Sequence, residues 1–376
     1  MNVVLSKPKP KRPQWHALTV ASIDRLTDEA VSVAFAVPPK LRPVFDFAAG
    51  QHLTLRRTDE NGDEVRRSYS ICSTPSMLHN KGRLRVGIKR VPTGAFSGYA
   101  HTGLSVGDVV EVLPPLGSFG GDSAERWREK AGGAHTPAHY AAIVAGSGIT
   151  PVMAIAATAL GAEPESRVTV VFGNRTAASV MFSDELADLK DRFPQRFQLI
   201  HVLSREPQSA EILYGRIDPQ RLAQLFETLL PPETVDEWFL CGPYGMVMGA
   251  QKALAEADVA DDKVHTELFF AEEIPPPPPE PGVSGDAEVT VMLDGRASTI
   301  TMQRDERVLD AALRVRRELP YACKGGVCAT CRAKVIDGEV HMARNFALDQ
   351  TDLDAGYVLT CQSSPLTEKL TVDYDA

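Results

Sequence analysis

The sequence predicts a multidomain chain with an antiparallel β-barrel, an α/β domain with a parallel sheet, and a small α+β domain. Short alternating runs of apolar residues fill the first 115 residues, and between residues 140 and 270 compact apolar runs alternate with helical patterns. A proline-rich stretch then leads into two strand patterns and a cysteine-rich loop. A chain of 376 residues is also too long for one ordinary core.

The composition is that of a globular protein, with 43% hydrophobic and 24% charged residues. A net charge of -9 argues against nucleic-acid binding as a main role, because phosphate-binding surfaces carry an excess of Lys and Arg. Residues 1–13 are basic and contain prolines, which predicts a disordered tail rather than a signal peptide. Residues 140–162 carry no charge, but Gly-Ser-Gly-Ile-Thr-Pro interrupts them, so we predict a strand, a turn and a helix. We therefore expect a cytoplasmic protein without a membrane anchor.

The first domain is predicted to span residues 14–121 and to contain six strands. A short helix is expected over residues 94–103, between the fifth and sixth strands, and the polar residues 122–137 are predicted to form a surface loop. The predicted strands cover residues 16–21, 30–35, 52–56, 65–72, 84–89 and 109–113. Such runs, punctuated by Gly and Pro, favour an antiparallel barrel.

The second domain is predicted to span residues 138–272. Its strands, at residues 141–145, 167–172, 197–203 and 237–241, alternate with helices at residues 151–160 and 244–257. This alternation predicts a parallel sheet with helices on both faces. Residues 273–286 follow as a proline-rich linker, expected to adopt a semi-rigid polyproline II conformation.

The third domain is predicted to span residues 287–376. Strands at residues 289–293 and 297–302 are joined by the turn Asp294-Gly295, and a helix is expected over residues 308–318. The cysteine loop follows this helix.

The cysteines form the pattern C-x4-C-x2-C-x29-C: Cys323, Cys328 and Cys331 lie in CKGGVCATC, and Cys361 follows a strand-like segment. A binuclear iron–sulfur cluster needs two ligands on each iron, and Gly325 and Gly326 are expected to supply the positive φ that such a loop requires. A four-cysteine zinc site is the alternative, although zinc sites usually pair two C-x2-C knuckles. Disulfides are disfavoured because six cysteines in this chain are sparse.

The spacing resembles that of plant-type ferredoxins, which implies a [2Fe-2S] cluster and a β-grasp fold for the third domain. In the first domain, Arg67-Ser-Tyr69-Ser70 resembles the R-x-Y-S motif of the ferredoxin reductase flavin domain. The resemblance implies that Arg67 pairs with a flavin phosphate, Tyr69 stacks on the flavin ring and Ser70 reaches the N5 atom. It also places Gly94 and Ser97 at the flavin phosphates and His52 along the flavin. FAD is preferred over FMN because similar reductases use FAD.

Gly146-Ser-Gly148-Ile-Thr150-Pro151 follows a predicted strand and opens a helix, the context of a pyrophosphate-binding turn. Its final Pro departs from G-x-G-x-x-G and resembles the ferredoxin reductase pattern; Thr150 is predicted to cap the helix. Cys241-Gly242-Pro243 likewise resembles the segment whose Cys lies against the nicotinamide of the coenzyme. Glu267 is predicted either to line the same pocket or to be a solvated charge.

Coenzyme choice depends on Arg175 and on Ser204-Arg205-Glu206. A 2'-phosphate needs donors, whereas a free 2'-hydroxyl prefers a carboxylate. Ser204 and Arg205 resemble the NADPH-binding stretch of ferredoxin reductases, while Glu206 either serves NADH or pairs with Arg205. NADPH is the preferred prediction, and Phe269 or Phe270 is the aromatic that its nicotinamide would displace.

The order flavin, nicotinamide, cluster implies a reductase that delivers single electrons to another protein. Four stretches, at residues 66–73, 87–91, 172–175 and 321–331, resemble the reductase subunits of phenylacetyl-CoA epoxidase complexes. That resemblance implies a di-iron oxygenase partner that epoxidises phenylacetyl-CoA. Two alternatives stay open: the reductase of a Rieske oxygenase, such as a steroid hydroxylase, and a free-standing NAD(P)H diaphorase.

Overall fold

The computed structural model describes residues 13–92, 94–129, 137–269 and 285–376. The predictions for the N-terminal tail (residues 1–12), for nearly all of the linker and for Phe270 lie outside these residues. The described residues divide into two compact units, one within residues 15–269 and the other formed by residues 285–376 together with residues 13 and 14. The first unit contains the barrel and the parallel sheet, and the second contains the cysteine loop. The exact domain boundaries stay predictions.

The six predicted strands of the first domain form one antiparallel sheet in the order β4-β3-β6-β1-β2-β5. A bridge between Ile71 and Val86 links the end of β4 to β5, so the two edge strands meet and the sheet closes as a barrel. The strands are β1 His16–Thr27, β2 Ala30–Ala36, β3 His52–Thr58, β4 Glu64–Ser70, β5 Arg83–Lys89 and β6 Val109–Val112, with helices α1 Pro75–Lys81 and α2 Ala95–Thr102. The predicted barrel and its short helix are confirmed.

The barrel interior is filled by apolar residues from alternate strand positions. Leu18, Val33, Phe35, Leu53 and Val86 are all 0% exposed. Each such side chain contributes about 1.5–3 kcal/mol of transfer free energy when it is fully buried. This core holds β4 and β5 rigidly, and both strands carry site residues.

The predicted surface loop at residues 122–137 is wrong over its described part, where α3 Gly121–Glu129 forms a helix. Ala124 and Trp127, three residues apart, face inward and are buried. The Trp127 ring lies edge-on to Tyr140 at 5.2 Å, and its Nε1 donates to Glu163 at 2.9 Å. Only two apolar positions anchor this polar helix, which is why its composition suggested a loop.

The second sheet is wholly parallel, in the order β11-β10-β7-β8-β9. Its elements are β7 His139–Ala145, α4 Ile149–Ala162, β8 Arg167–Asn174, α5 Ser183–Arg192, β9 Phe197–Leu203, α6 Pro219–Thr228, β10 Glu237–Gly242, α7 Tyr244–Glu256 and β11 Val264–Leu268. The chain runs from β7 to β8 and β9 on one side, then crosses to β10 on the other. The crevice at the carboxyl ends of β7 and β10 is therefore the expected ligand site.

The cysteine-bearing domain has a mixed five-stranded sheet in the order β13-β12-β18-β14-β16, and β15 pairs with β17. Its elements are β12 Asp286–Leu293, β13 Arg296–Gln303, α8 Val308–Ala312, β14 Arg332–Asp337, β15 Val340–Met342, α9 Gln350–Asp354, β16 Tyr357–Leu359, β17 Ser363–Pro365 and β18 Lys369–Asp373. The helix predicted to reach residue 318 ends at Ala312, because the chain tightens there. The Arg314 and Val315 amides bond three residues back, and the Arg316 guanidinium donates to the Leu293 and Arg296 carbonyls.

Among the described residues, no helix has both the length and the apolar character needed to cross a membrane.

Candidate functional site

A cleft of about 1020 Å³ opens at the carboxyl ends of β7 and β10. It is lined by most of the residues that the sequence predicted for the coenzyme: Gly146, Arg175, Ser204, Arg205, Gly242, Pro243 and Phe269. These residues come from the loops after β7, β8, β9 and β10 and from the residue after β11. The site therefore lies where the strand order reverses, as expected for a dinucleotide.

The turn after β7 owes its shape to two glycines. Gly146 adopts a φ of +55°, and a Cβ on Gly148 would lie 2.2 Å from the Cys241 carbonyl oxygen. Gly148 is thus required for close packing against β10. The predicted cap is wrong: α4 begins at Ile149, and Thr150 Oγ1 donates back to the Ser147 carbonyl at 2.9 Å. Thr150 and Pro151 are buried in the first turn of α4, and neither is among the residues that line the cleft.

Of the described residues that line the cleft, five are cationic: Lys89, Arg90, Arg175, Arg205 and Arg216. Asp218 also lines it, but its carboxylate accepts the Arg221 amide at the start of α6. The cleft therefore suits a polyanionic ligand.

The site prediction from sequence omitted Lys89, Arg90 and Arg216. A Cβ on Gly146 would lie 3.7 Å from Lys89 Nζ, so this ammonium faces the predicted pyrophosphate turn. Burial lowers the pKa of Lys89, Glu29 at 3.9 Å opposes that shift, and Arg175 lowers the pKa further. The sequence signal that could have identified Lys89 was the motif at residues 87–91. Gly87 and Lys89 are two positions apart on β5, so they lie on the same face of the sheet.

The loops after β8 and β9 are bonded to each other. The Ser204 amide donates to the Asn174 carbonyl at 2.9 Å, and the Arg205 amide donates to the Arg175 carbonyl at 2.8 Å. Glu206 Oε2 accepts the Ala177 amide at 2.8 Å. Its carboxylate is thus engaged at the start of a short 3-10 turn, a role that sequence reasoning did not anticipate.

The three residues predicted for hydride transfer converge beside β10. Ser70 Oγ, at the end of β4, donates to Glu267 Oε2 at 2.9 Å. Glu267 is directly opposite Cys241 in the parallel register of β10 and β11. His52 Nδ1 lies 4.0 Å from Glu267 Oε1. The Glu267 side chain is only 12% exposed, so it is not a solvated charge, and its place in the coenzyme pocket stays a prediction.

The Cys241 thiol is fully buried. Burial raises its pKa well above the usual value, and the Glu267 carboxylate raises it further. The fold therefore favours the protonated thiol.

The predicted flavin residues on β4 differ in exposure. Arg67 is exposed, and its Nη1 donates to the Arg66 carbonyl at 2.8 Å. The Tyr69 ring lies 5.7 Å from Phe96, and burial raises the pKa of its hydroxyl above the usual range. Along β4, Arg67 thus offers a cation to a flavin phosphate, Tyr69 offers a ring that could stack on the flavin ring, and Ser70 offers a hydroxyl to the polar edge of that ring.

Gly94 and Ser97 shape the start of α2. The Ser97 hydroxyl accepts the Val91 amide at 3.1 Å and donates to the Gly94 carbonyl at 3.2 Å. A Cβ on Gly94 would lie 2.3 Å from Ser97 Oγ. Because the Ser97 hydroxyl is used within this turn, its direct contact with a flavin phosphate stays a prediction.

The cysteine loop uses an unusual backbone. Gly326 has a φ of +80°, and the non-glycine residues Lys324 and Ala329 have φ values of +52° and +51°. The expectation of a positive φ at Gly325 is wrong, since Gly325 does not adopt one. Left-handed non-glycine residues are strained and persist only where the surroundings hold them, as at functional sites.

The thiols of the loop affect one another's pKa. The neighbouring Cys323 thiol lowers the pKa of Cys328 to about 6, and Thr330 Oγ1 donates to Cys328 Sγ at 3.2 Å. The neighbouring Cys331 thiol lowers the pKa of Cys361. Four cysteines suffice for two irons with two thiolate ligands each.

Among the described residues, no group of three or more His, Cys, Asp and Glu side chains is arranged to hold a metal ion.

The fold and these sites define an NAD(P)H-dependent iron–sulfur flavoprotein oxidoreductase. Residues 17–120 match the oxidoreductase FAD-binding domain, residues 142–252 the oxidoreductase NAD-binding domain, and residues 291–366 the 2Fe-2S iron-sulfur cluster binding domain. FAD, a [2Fe-2S] cluster and NAD(P)H are therefore its cofactors.

Similarity to known reductases extends along the whole chain. One component of 1,2-phenylacetyl-CoA epoxidase from Escherichia coli K12 is 44% identical over 96% of this chain and 98% of its own length. The ferredoxin reductase component of 3-ketosteroid-9-alpha-monooxygenase from Mycobacterium tuberculosis is 34% identical over 95% of both chains. Phthalate dioxygenase reductase has the same fold, with a TM-score of 0.55 and 21% identity over 96% of this chain and 98% of its own. The chain belongs to the family of ferredoxin reductase-type flavoproteins with a C-terminal [2Fe-2S] domain.

Proposed function

We propose that this protein is the reductase component of a multicomponent oxygenase and passes electrons from NADPH, through FAD and a [2Fe-2S] cluster, to a di-iron oxygenase that epoxidises phenylacetyl-CoA. One observation carries the proposal: Ser70, Glu267 and Cys241 converge beside a cationic cleft in a chain that also has a 2Fe-2S cluster binding domain. A hydride-accepting site and a one-electron site in one chain are what such a supply requires.

The residues of the cleft and the residues beside Cys241 have separate roles. The cationic side chains of the cleft bind the coenzyme phosphates, and Gly148 lets the turn approach β10. Ser70 and Glu267 hold one proton in a 2.9 Å hydrogen bond beside Cys241. When bound, FAD supplies the conversion of a two-electron hydride into the single electrons that a [2Fe-2S] cluster accepts.

NADPH is the proposed coenzyme rather than NADH. Arg175 and Arg205 line the cleft and offer donors to a 2'-phosphate, while Glu206, the carboxylate that a ribose hydroxyl would need, does not line it. Arg205→Ala should raise KM for NADPH about 10- to 100-fold, as for the loss of a hydrogen bond to a charged group. KM for NADH should change less than about twofold, and equal changes for both coenzymes would contradict the assignment.

The first experiment is an anaerobic visible spectrum before and after one equivalent of NADPH, with NADH in parallel. Prompt bleaching of both flavin and cluster absorption by NADPH is expected. A colourless protein with stoichiometric zinc would overturn the electron-transfer proposal.

The oxygenase partner is proposed from the 44% identical epoxidase component. Purified protein combined with a carboxylate-bridged di-iron oxygenase should support NADPH-dependent epoxidation of phenylacetyl-CoA. The second candidate, a Rieske oxygenase partner, is favoured by the 34% identical steroid monooxygenase component. Turnover with a Rieske protein alone would select that candidate. If neither protein at low concentration accelerated NADPH oxidation, the chain would be a free-standing diaphorase.

A further inference from the structure

Gln362 directly follows the fourth cysteine and is buried, with 7% of its surface exposed. Its Nε2 lies 2.9 Å from the Lys324 carbonyl oxygen, 2.9 Å from the Cys361 carbonyl oxygen and 3.6 Å from Cys361 Sγ. A primary amide has two N–H donors, so the two carbonyls occupy both of them. One side chain therefore joins the residue after the first cysteine to the fourth cysteine.

The segment that Gln362 reaches is strained. Lys324 has a φ of +52°, and its carbonyl direction follows from that conformation. A Cβ on Gly326 would lie 3.1 Å from Gln362 Cγ, so the Gln362 side chain also packs over the loop. The hydrogen bond to Lys324 thus holds the loop in a conformation that it would not keep alone.

Gln362 is itself firmly placed. Its carbonyl accepts the Ala343 amide at 2.9 Å and Arg307 Nη1 at 3.3 Å. The side chain consequently extends from a fixed backbone, and a change in its length or donors would be transmitted to the loop rather than absorbed.

We propose that Gln362 is a positioning residue for the iron–sulfur cluster, coupling the loop between Cys323 and Cys328 to Cys361. The rate at which the cluster is released and the EPR g values of the reduced cluster depend on this coupling. The proposal rests on the cluster and not on the identity of the oxygenase, so it stands whichever partner is found.

The test compares full-length, cluster-loaded protein with Gln362→Met, which keeps the side-chain length but has no N–H donors. Cluster release is followed as the loss of visible absorbance in excess iron chelator, and the EPR spectrum of the reduced cluster is recorded. Loss of two hydrogen bonds, each worth a factor of about five, predicts release about 5- to 30-fold faster. The EPR g values should shift, because the loop after Cys323 loses the hydrogen bond that positions it.

The matched control is Gln303→Met, because Gln303 lies in the same domain and its amide bonds Asp286 on the exposed edge of the sheet. Release rate and g values should be unchanged in this control. Unchanged release and g values in Gln362→Met, or equal changes in both variants, would overturn the proposal. If Gln362→Met fails to fold, the isosteric Gln362→Glu, which also lacks the donors, is expected to release its cluster faster, and a wild-type rate there would refute the coupling.

Discussion

An ion pair joins the barrel to the parallel-sheet domain within residues 15–273, and its removal should weaken that unit. Arg85 on β5 contacts Glu185, in the first turn of α5, through two hydrogen bonds, one of them 2.9 Å from Nη1 to Oε1. The two side chains are 16% and 37% exposed. The Arg85 carbonyl also accepts the Cys72 amide at 2.8 Å, so the guanidinium extends from a fixed strand.

The expected cost of Glu185→Ala follows from this partial burial. Exposed pairs contribute about 0–1 kcal/mol, whereas breaking a buried pair costs about 3–5 kcal/mol. Breaking a bidentate pair of intermediate exposure should therefore cost about 2 kcal/mol, because Arg85 keeps its charge and loses Glu185 as its partner. In a unit of this size that corresponds to a Tm lower by about 4–8 °C.

The assay is thermal unfolding followed by the release of FAD fluorescence in Arg85→Ala, Glu185→Ala and the double variant. A coupling energy of about 1–2 kcal/mol is expected from the cycle. Glu256→Ala is the matched control, because its 3.7 Å pair with Lys252 is largely exposed, and it should stay within about 0.5 kcal/mol of wild type. Additive losses in the double variant would refute the ion-pair account, since the two residues would then act independently.

Three further predictions follow from packing, the cluster and pH. Gly148→Ala should reduce affinity for the coenzyme at least about tenfold and lower Tm, because its Cβ would lie 2.2 Å from the Cys241 carbonyl oxygen. KM and Tm are measured for this variant and for the control Gly161→Ala. A Cβ at Gly161, in α4, would meet open space, so KM and Tm should not change in the control. Cys328→Ser should abolish electron delivery to the oxygenase while sparing ferricyanide reduction, and equal loss of both activities would contradict the route through the cluster. Burial raises the Cys72 pKa to about 12 from 9.0, so the fold favours the protonated thiol and loses stability as pH rises from 9 towards 12. Denaturation at pH 8 and pH 10.5 should show about 2 kcal/mol more loss in wild type than in Cys72→Ala, and identical losses would show that folding does not raise the pKa of this thiol.

The fold was predictable where the pattern repeats. Six alternating runs and a regular succession of strands and helices identified the barrel and the parallel sheet, because burial on one or both faces leaves a periodic signal. Helix α3 was missed, since only Ala124 and Trp127 anchor it among polar residues. The length of α8 was also wrong, because a side chain bonding a neighbouring hairpin ended the helix, and such a partner is invisible in the local sequence.

The site was predictable where chemistry demands one residue type. Iron requires thiolates, and a hydride pocket next to a strand end favours small or polar side chains, so short motifs lead to Cys328 and Ser70 as candidates whose roles stay predictions. Lys89 and Glu206 have roles that depend on which strand or loop lies opposite. Lys89 faces the Gly146 turn from a different domain, and Glu206 bonds an amide 29 residues away.

The distance along the chain between Ser70 and Glu267 shows why convergence could not be derived from the motifs themselves. These residues are 197 positions apart, yet they share a 2.9 Å hydrogen bond. Ser70 is placed by its pairing with His52 across β3 and β4, and Glu267 by its register with Cys241 across β10 and β11. Two independent sheets thus fix the two ends of one bond, and a shift of one residue in either register would turn its side chain to the opposite face. The precision of the pocket therefore depends on the cores of both sheets, and core substitutions that loosen β4 or β11 should impair hydride transfer before they unfold the protein.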